Sequence, residues 1–302
     1  MLALVGPTAS GKTELGVELA RRLGAEVGSL DSMLVYRGMD VGTAKPTLAE
    51  RGGVPHHLFD LCDPRERYDV QRYLADAATA EREVEARGSR ALFVGGTGFY
   101  LKALVHGLFD GPPVDVELRA RLEARAREEG AVALHRELMQ LDPVLARRLH
   151  PNDVRRVVRG LEVHEQTGRR LSELQTEWGG AGRAARVFVL APPPEELERR
   201  IAARTEAMLA AGWIEEVRAV LDGGGFGPTS CQALGYPEVV AYLEGRLGRD
   251  ELAPAIALRT RQFARRQRTW FKHFAGAEHV PYELPVPERA GWVERRLAEP
   301  RD

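Results

Sequence analysis

The sequence has few of the features that mark secreted, metal-stapled or membrane-spanning proteins. Among 302 residues there are two cysteines, Cys62 and Cys231, which lie far apart and show no C-x-x-C spacing. This argues against a disulfide framework or a structural zinc site, and we interpret both side chains as reduced thiols. No apolar run approaches the length of a membrane span. The composition, with 44% hydrophobic residues, instead predicts a globular protein with a core.

An excess of charge of one sign is also missing. The chain has 43 Lys and Arg residues against 44 Asp and Glu, a formal net charge of −1. Bulk electrostatics therefore do not indicate a polyanionic partner, and a nucleic-acid surface would have to come from local segregation of basic residues. The sequence also lacks internal repeats, a sustained heptad pattern and a low-complexity tail, so it predicts neither a solenoid nor a coiled coil.

A complete phosphate-loop motif, G-x-x-x-x-G-K-T, lies between the apolar run Met1 to Val5 and a helical pattern. Its backbone N–H groups and the helix N-terminus are expected to converge on the phosphates of a ligand, with Lys12 as a cation and the Thr13 hydroxyl as a Mg²⁺ ligand. The predicted diphosphate-binding residues are Gly6, Thr8, Ala9, Ser10, Gly11, Lys12 and Thr13. Because the motif begins so near Met1, we expect no signal peptide and a cytoplasmic location.

Two further predicted strands end in candidate site residues. Ala25 to Leu30 leads into Asp31 and Ser32, and ligands bind at the carboxyl ends of strands in a parallel α/β sheet. Asp31 is a candidate for proton abstraction or for holding a metal-bound water, although an isolated Asp-Ser pair more often caps a helix or forms a turn. The apolar strand Ala91 to Val94 ends in glycines and Thr97, where a motor-type NTPase has an acidic metal ligand. Thr97 can therefore hydrogen-bond a molecule bound above the sheet.

The next segments indicate a loop, a pair of histidines and a scaffold helix. Residues 33 to 46 have few apolar side chains and no clear period, which predicts an ordered loop over the site. His56 and His57 are adjacent, but neighbours on an extended chain point in opposite directions and no third ligand stands at a familiar spacing. We therefore do not predict a metal site there. The pattern from Val70 to Arg87 predicts an amphipathic helix.

A helical insertion is predicted after Gly111-Pro112-Pro113, where the strand signals stop. We predict an α/β core with a parallel sheet, made of residues 1–111 and 185–302, and an inserted all-helical domain of residues 112–184. Within the insertion, a helix is expected to start after Asp153 and to stop at Gly168. Arg155, Arg156 and Arg159 lie opposite its apolar stripe, as a cationic face for a ligand or as a solvated surface.

A second basic surface is predicted near the C-terminus. On a helix, Arg261, Arg265, Arg268 and Lys272 form one stripe, and Phe263, Trp270 and Phe274 form another. This pattern fits a helix that grips a nucleic-acid backbone, and it equally fits a docked helix with solvated arginines. Upstream, a strand from Val187 to Leu190 precedes a helix from Glu195 to Leu209 that carries Arg199, Arg200 and Arg204. Gly235-Tyr236-Pro237 is predicted to form a turn.

Taken together, these motifs resemble the tRNA dimethylallyltransferase family, whose members prenylate the adenosine next to the anticodon. The resemblance spans nearly the whole chain. It rests on the phosphate loop, Asp31-Ser32, Tyr36, residues 38–46, 55–58, 95–100 and 150–153 with Arg155 and Arg159, Gly235-Tyr236, and residues 260–271. A phosphate loop alone occurs in many enzymes, whereas this ordered set is specific to the family.

The resemblance implies a P-loop kinase-like core that holds dimethylallyl diphosphate with Mg²⁺, and an insertion that clasps the tRNA anticodon stem-loop. The adenine at position 37 would be flipped out and attack through N6, with Asp31 accepting the proton and Thr97 contacting the adenine or the departing oxygen. Arg119 would assist the leaving diphosphate. The implied tRNA contacts are Asp31, Ser32, Met33, Leu34, Thr97, Arg155, Arg156, Arg159, Gln232, Gly235, Tyr236, Arg265 and Arg268. A monomer without a membrane partner is expected.

Three departures and two alternatives accompany this resemblance. Leu34 and Pro237 stand where relatives often have Gln and a basic residue, and the lack of a C-terminal zinc finger fits the bacterial form. The chief alternative is an ATP-dependent nucleoside or small-metabolite kinase, against which stand the two basic surfaces and the size of the insertion. The other alternative, a nucleotide-dependent RNA-binding module without activity, assigns no role to Asp31 and Thr97.

Overall fold

The computed structural model describes residues 1–108, 111–176 and 182–300, apart from the side chain of Thr176. Contacts divide the chain into two compact units, one of Met1–Val105 with Ala184–Asp302 and one of His106–Arg183. The boundaries predicted for the insertion were 112 and 184. Residues 109, 110, 177–181, 301 and 302 of the predicted domains lie outside the described residues.

The larger unit contains a six-stranded sheet. Its strands are β1 (Leu2–Val5), β2 (Ala25–Leu30), β3 (His56–His57), β4 (Arg90–Gly95), β5 (Arg186–Val189) and β6 (Ala277–His279). The order is β3-β2-β4-β1-β5-β6, and every neighbouring pair is parallel. The predicted parallel α/β core is therefore confirmed. The phosphate loop leaves β1 at the centre of this sheet, and the two strands that end in Asp31 and Thr97 lie on the same side of it.

Fourteen helices are defined among the described residues. They are α1 (Lys12–Leu23), α2 (Leu48–Arg51), α3 (Val70–Ala86), α4 (Gly98–His106), α5 (Val116–Glu128), α6 (Ala131–Leu141), α7 (Pro143–Ala146), α8 (Val154–Thr167), α9 (Leu171–Thr176), α10 (Pro194–Ala210), α11 (Trp213–Asp222), α12 (Tyr236–Leu243), α13 (Arg249–Lys272) and α14 (Val286–Ala298). A short 3₁₀ turn covers Ser230–Gln232. No described helix has both the length and the apolar character that a membrane crossing requires.

Local capping explains where the predicted helices begin and end. The Asp69 carboxylate accepts hydrogen bonds from two N–H groups in the first turn of α3. The Asp153 carboxylate accepts one such hydrogen bond, from the Arg156 N–H at the start of α8, and Gly168 ends that helix with a left-handed φ of 68°. These side chains satisfy N–H groups that a helix start leaves without partners, and glycine adopts the left-handed C-terminal conformation at low cost. The predicted bounds of α8 are confirmed.

Helices cover both faces of the sheet. On one face, α1 and α14 pack over β1 and β5 through an apolar cluster that includes Leu15, Phe188 and Val293. The opposite face is covered by α3, α4 and the helices from α11 to α13, around Phe93 and Trp213. Burial on both faces explains the unbroken apolar sequence of β1.

All the regular secondary structure among the described residues of the smaller unit is helical. Helices α5 to α9 surround a core of aliphatic side chains such as Leu122, Leu138 and Leu161. Among the described residues of this unit, two carboxylates, Asp142 and Glu162, are fully buried. Buried carboxylates need compensating partners, so the neighbours of Glu162 bear directly on the predicted cationic face of α8.

Candidate active site

The phosphate loop, Gly6 to Thr13, curls tightly between β1 and α1. Ala9 and Gly11 have left-handed φ angles of 61° and 87°. Gly6 has no room for a side chain, since a Cβ would lie 2.2 Å from the Leu190 carbonyl oxygen. No side chain caps the start of α1. The first N–H groups of this helix are therefore oriented for an anionic ligand.

Two cations lie beside the loop. Lys12 Nζ donates a hydrogen bond to the Pro7 carbonyl at 3.2 Å, and Arg204 Nη1 of α10 donates to the Thr8 hydroxyl at 3.4 Å. Burial, followed by the nearby charge of Arg204, lowers the pKa of Lys12 to about 8, while Asp31 acts in the opposite direction. Burial also lowers the pKa of Arg204. Among the described residues, neither cation lies within ion-pair distance of a carboxylate, as a site for a phosphate ligand requires.

A second arginine of α10, Arg200, also contacts the backbone of the phosphate loop. Arg200 Nη1 lies 3.5 Å from the Ser10 carbonyl oxygen, and a Cβ on Gly11 would come within 3.2 Å of the same nitrogen. Arg200 also pairs with Glu196 at 2.6 Å, so its charge is partly compensated. The sequence indicated arginines on this helix, but it did not place them at the phosphate loop.

Asp31 follows β2 at the carboxyl edge of the sheet. Its Oδ1 accepts a hydrogen bond from the Met33 N–H at 2.9 Å. Burial raises the pKa of the Asp31 carboxyl, and the Met33 hydrogen bond, Lys12 and Arg204 oppose that shift. A partly buried carboxylate with a raised pKa is a stronger base than a solvated one, which suits it to accept a proton.

Thr97 is joined directly to the Asp31 segment. Its hydroxyl accepts a hydrogen bond from the Ser32 N–H at 3.2 Å, and its own N–H donates to the Leu30 carbonyl at 3.1 Å. Gly95 is required at this junction, because a Cβ there would lie 2.1 Å from the Leu30 carbonyl oxygen. The structure thus brings the phosphate loop, Asp31 and Thr97 to one edge of the sheet.

The edge loop, residues 33–46, has no helix or strand and is held by buried side chains. The Lys45 side chain is 5% exposed, and its ammonium group donates to the Tyr36 carbonyl at 2.8 Å and pairs with Asp40 and Asp60. Tyr36 is fully buried, and the Leu34 carbonyl accepts a hydrogen bond from the Asp60 N–H at 3.2 Å. These contacts explain how a segment without periodicity keeps a defined backbone.

Glu216 of α11 binds the middle of the edge loop, and its role was not recognised from the sequence. Its carboxylate accepts hydrogen bonds from the N–H groups of Asp40, Val41 and Gly42 at 2.6, 2.6 and 3.0 Å. The Tyr236 hydroxyl donates to the same carboxylate at 2.7 Å. Burial and Glu216 together raise the pKa of Tyr236. Glu216 lies 176 and 174 positions from Asp40 and Gly42, so no local sequence pattern indicates this contact.

Tyr236 and its neighbours differ from the expected turn. Gly235, with a φ of 86°, precedes α12, so the predicted turn at 235–237 is wrong beyond its first residue. Pro237 is accommodated because the first turn of a helix does not use its N–H. Tyr236 is buried and faces Glu216, whereas Gln232 is exposed and donates a hydrogen bond to the Pro228 carbonyl. A tRNA contact by each of these residues stays a prediction.

Helix α13 presents a basic exposed side and an apolar buried side. Arg265 is exposed and Arg268 is half-buried. Trp270 packs against Gly98, where a Cβ would lie 2.5 Å from the indole ring, and its ring stacks on Phe274 at 5.3 Å between centroids. The buried side also contains one polar residue, Gln267, which the sequence did not single out. The predicted basic stripe therefore lies on a helix that is anchored next to Thr97.

In the smaller unit, Glu162 binds two of the predicted site arginines. Arg119 and Arg159 both pair with its carboxylate, the latter at 2.9 Å. Arg159 also donates to the Pro112 carbonyl at 2.7 Å. Arg156 is 72% exposed and pairs with Asp153 at 3.3 Å, and Arg155 is exposed. The cationic face of α8 is therefore partly neutralised within its own unit.

The two histidines of β3 form hydrogen bonds at the edge of the sheet. His57 Nε2 donates to the Glu26 carboxylate at 2.6 Å, and His56 Nδ1 donates to the Val54 carbonyl at 2.8 Å. Within the described ranges, no group of three or more His, Cys, Asp or Glu side chains is arranged to hold a metal ion. Thr13 lies exposed in the first turn of α1, where a ligand's phosphates would supply further oxygen atoms.

Comparisons with known proteins match this site to one family. A family model described as IPP transferase matches residues 34–274, and one described as isopentenyl transferase matches residues 1–57. A tRNA dimethylallyltransferase of Thermomicrobium roseum is 45% identical over 100% of this chain and 93% of its own length. The chain belongs to the tRNA dimethylallyltransferase family. A tRNA dimethylallyltransferase of Sorangium cellulosum is 47% identical over 92% of this chain and 89% of its own.

Solved structures of the tRNA dimethylallyltransferase family share the fold. The tRNA isopentenylpyrophosphate transferase of Bacillus halodurans has a TM-score of 0.73 and 37% identity, covering 98% of this chain and 95% of its own. A eukaryotic dimethylallyltransferase solved acting on tRNA has a TM-score of 0.77 and 27% identity, covering 99% of this chain and 77% of its own. The expected P-loop kinase-like fold is confirmed, and the comparisons support prenyl transfer over the kinase alternative.

Proposed function

We propose that this protein transfers a dimethylallyl group from dimethylallyl diphosphate to N6 of the adenosine 3′-adjacent to the anticodon, position 37 of tRNA, with release of diphosphate. The observation that carries the proposal is the shared sheet edge: an anion-binding loop with two cations stands beside Asp31 and Thr97. A kinase would also use such a loop and base, so the choice between the two reactions depends on the comparisons with known proteins. Family membership supports the same reaction.

The chemistry follows from the charges at this edge. The phosphate loop, Lys12 and Arg204 bind the diphosphate of the donor. The adenine N6 forms a bond to the prenyl carbon as the bond from that carbon to the diphosphate oxygen breaks, and the electron pair leaves with the diphosphate. The N6 proton passes to Asp31, whose pKa is raised by burial. Thr97 contacts the adenine or the departing oxygen.

Magnesium is part of the proposal. The donor set fits this ion, because Mg²⁺ commonly uses few protein ligands and completes its coordination with substrate phosphates and water. Thr13 would supply its hydroxyl, and the diphosphate would supply most of the remaining oxygen ligands. When bound, the ion would neutralise the charge that develops on the diphosphate.

Recognition of tRNA is assigned to two sets of basic residues. Arg265 and Arg268 of α13 would contact the RNA backbone, as would Arg155 and Arg156 of α8. The target adenine would be flipped out to reach Asp31, since N6 in a stacked loop is otherwise hidden from the donor. Arg119 would act on the leaving diphosphate while paired with Glu162. A monomeric state and a cytoplasmic location remain predictions.

The experiment that tests the proposal is a direct transfer assay. The protein is incubated with unmodified tRNA and labelled dimethylallyl diphosphate with Mg²⁺, in parallel with ATP and a panel of nucleosides. Label is expected only in tRNA with adenosine at position 37, and a tRNA with guanosine there is the matched control. Phosphorylation of a nucleoside without label in tRNA would contradict the proposal.

A further inference from the structure

The Gln267 side chain connects two loops of the candidate site that come from distant parts of the chain. It lies on the buried side of α13, with 8% of the residue's surface exposed. Its Oε1 accepts a hydrogen bond from the Thr8 N–H at 2.8 Å, and its Nε2 donates to the Gly96 carbonyl at 2.8 Å. One amide thus joins the phosphate loop to the turn that ends β4.

The side-chain amide satisfies both partners, because it carries an acceptor and a donor. A backbone N–H can only donate and a carbonyl can only accept, so the two partners fix the orientation of the amide. A carboxylate at this position would lose the donor, and a methionine would leave the Thr8 N–H and the Gly96 carbonyl without their partner. Gly96 is matched to the contact, because a Cβ there would lie 2.4 Å from Gln267 Nε2.

Each of the two loops leads to one side of the proposed reaction. From Thr8, the phosphate loop continues to Lys12, and the Thr8 hydroxyl accepts a hydrogen bond from Arg204. From Gly96, the chain continues to Thr97, whose hydroxyl accepts a hydrogen bond from the residue after Asp31. The two hydrogen bonds of Gln267 therefore tie the diphosphate side of the site to the side of the base.

We infer that Gln267 is a positioning residue that sets the spacing between the bound prenyl diphosphate and the attacking adenine, an inference that rests on the proposed function. A misplacement of about 1 Å between reacting groups can lower a rate about 10²-fold. Arg265 and Arg268 lie on the same helix, so α13 links the RNA-binding surface to both loops. In this role Gln267 does not contact the substrate itself but holds the two loops that do.

The test replaces the amide with an apolar side chain of similar length, in Gln267→Met. Gln71→Met, the same change at an exposed position of α3, is the control. In single-turnover transfer, the rate should fall about 10²-fold in Gln267→Met. The affinities for tRNA and for inorganic pyrophosphate with Mg²⁺ should stay within about threefold of the control, because the variant changes only the geometry of the site. An unchanged rate, or a fall in rate fully matched by a fall in pyrophosphate affinity, would overturn the inference.

Amide hydrogen exchange separates this inference from the proposed function, since it needs no activity. In Gln267→Met, exchange at residues 6–10 and 95–98 should rise together. Gln267→Glu keeps the acceptor for Thr8 and loses the donor for Gly96, so it should raise exchange mainly at 95–98, and it replaces the first variant if that one does not fold. Unchanged protection of both segments overturns the inference even in an active enzyme. If exchange at both segments rises in Gln267→Met but the unsubstituted protein transfers no prenyl group, only the proposed function is overturned.

Discussion

The cations of the two units differ in how their charge is balanced. Beside the phosphate loop, Lys12 and Arg204 stand without a carboxylate at ion-pair distance in the described part of the chain, and burial lowers the pKa of both. In the smaller unit, Arg119 and Arg159 share the fully buried carboxylate of Glu162. The positive charge of Lys12 and Arg204 is therefore not balanced by a paired carboxylate, whereas that of Arg119 and Arg159 is partly balanced by Glu162.

This difference indicates two kinds of function. A cation that is partly removed from water and has no counter-charge costs free energy, and such an arrangement is useful where an anionic ligand completes it. We therefore interpret Lys12 and Arg204 as the diphosphate site. Two guanidinium groups around one carboxylate can both hold helices together and leave some positive charge for a phosphate ligand, which is how we interpret Arg119 and Arg159.

The largest effect is expected for Asp31. If this carboxylate were the counter-ion of Lys12, that cation would already be compensated within the protein, and the difference between the two units would disappear. Asp31→Asn keeps the shape of the side chain but cannot accept the N6 proton. Since the variant has no general base, kcat should fall about 10²–10⁴-fold with little change in either KM. Steady-state kinetics with tRNA and dimethylallyl diphosphate measure this.

The pH profile supplies the control for Asp31. Since the folded pKa of Asp31 lies above its ordinary value and the base must be deprotonated, kcat/KM should fall as pH drops through that raised pKa. The acid limb should disappear in Asp31→Asn. A variant that mainly raises KM for the diphosphate, or that loses its Mg²⁺ dependence, would make Asp31 a counter-ion or metal ligand instead.

The next effect is on stability. Glu162→Gln removes the fully buried carboxylate that two arginines share, and the free energy of unfolding should fall by about 3 kcal/mol. Glu165→Gln, on the same helix, breaks the exposed pair with Arg121 and should cost less than about 1 kcal/mol. Urea unfolding of the two variants measures the difference. Equal decreases would show that Glu162 is no more structural than a surface residue.

A direct comparison of one arginine from each set should give a smaller effect. Arg204→Met removes a charged contact to the donor, so KM for dimethylallyl diphosphate should rise about 10- to 100-fold. Arg119→Met should raise it less, because Glu162 already compensates part of that charge. Initial-rate measurements at saturating tRNA test both. If the two variants raise KM equally, the distinction between the two sets is wrong.

The smallest effect is on the salt dependence of tRNA binding. Replacing Arg265 and Arg268 together with alanine should reduce the slope of log K against log salt by about one unit for each RNA phosphate that is no longer bound. Arg159→Ala should change the slope less, since that side chain is engaged with Glu162 and the Pro112 carbonyl. Filter binding at several salt concentrations measures the slopes. Unchanged slopes in the double variant would make these arginines an ordinary solvated surface.

Local sequence signals predicted the frame of the site. The phosphate-loop spacing and the strand ends before Asp31 and Thr97 placed three segments at one sheet edge, because parallel strands share a carboxyl end. Capping signals also set the bounds of α8. Single-residue contacts across the chain could not be predicted in this way. Gln267 is separated from Thr8 by 259 positions, and nothing in the local pattern distinguishes its amide from a solvated one.

Other contacts were missed for the same reason. Glu216 lies 176 positions from Asp40 and resembles the many other charged residues on helix surfaces. The burial of Glu162 on α8 was not expected from its sequence, because a glutamate on a basic helix is ordinarily exposed. At Gly235, the Pro237 that suggested a turn instead occupies the first turn of α12.

The most direct test of the central claim is the effect of Lys12→Ala on the two substrates separately. If the uncompensated cations hold the donor, kcat/KM for dimethylallyl diphosphate should fall about 10²–10³-fold. The dissociation constant for tRNA should stay nearly unchanged in the same variant, because the basic residues of α8 and α13 are intact. Near-normal turnover, or a fall in tRNA affinity as large as the fall in kcat/KM, would contradict the assignment of the phosphate loop to the prenyl donor.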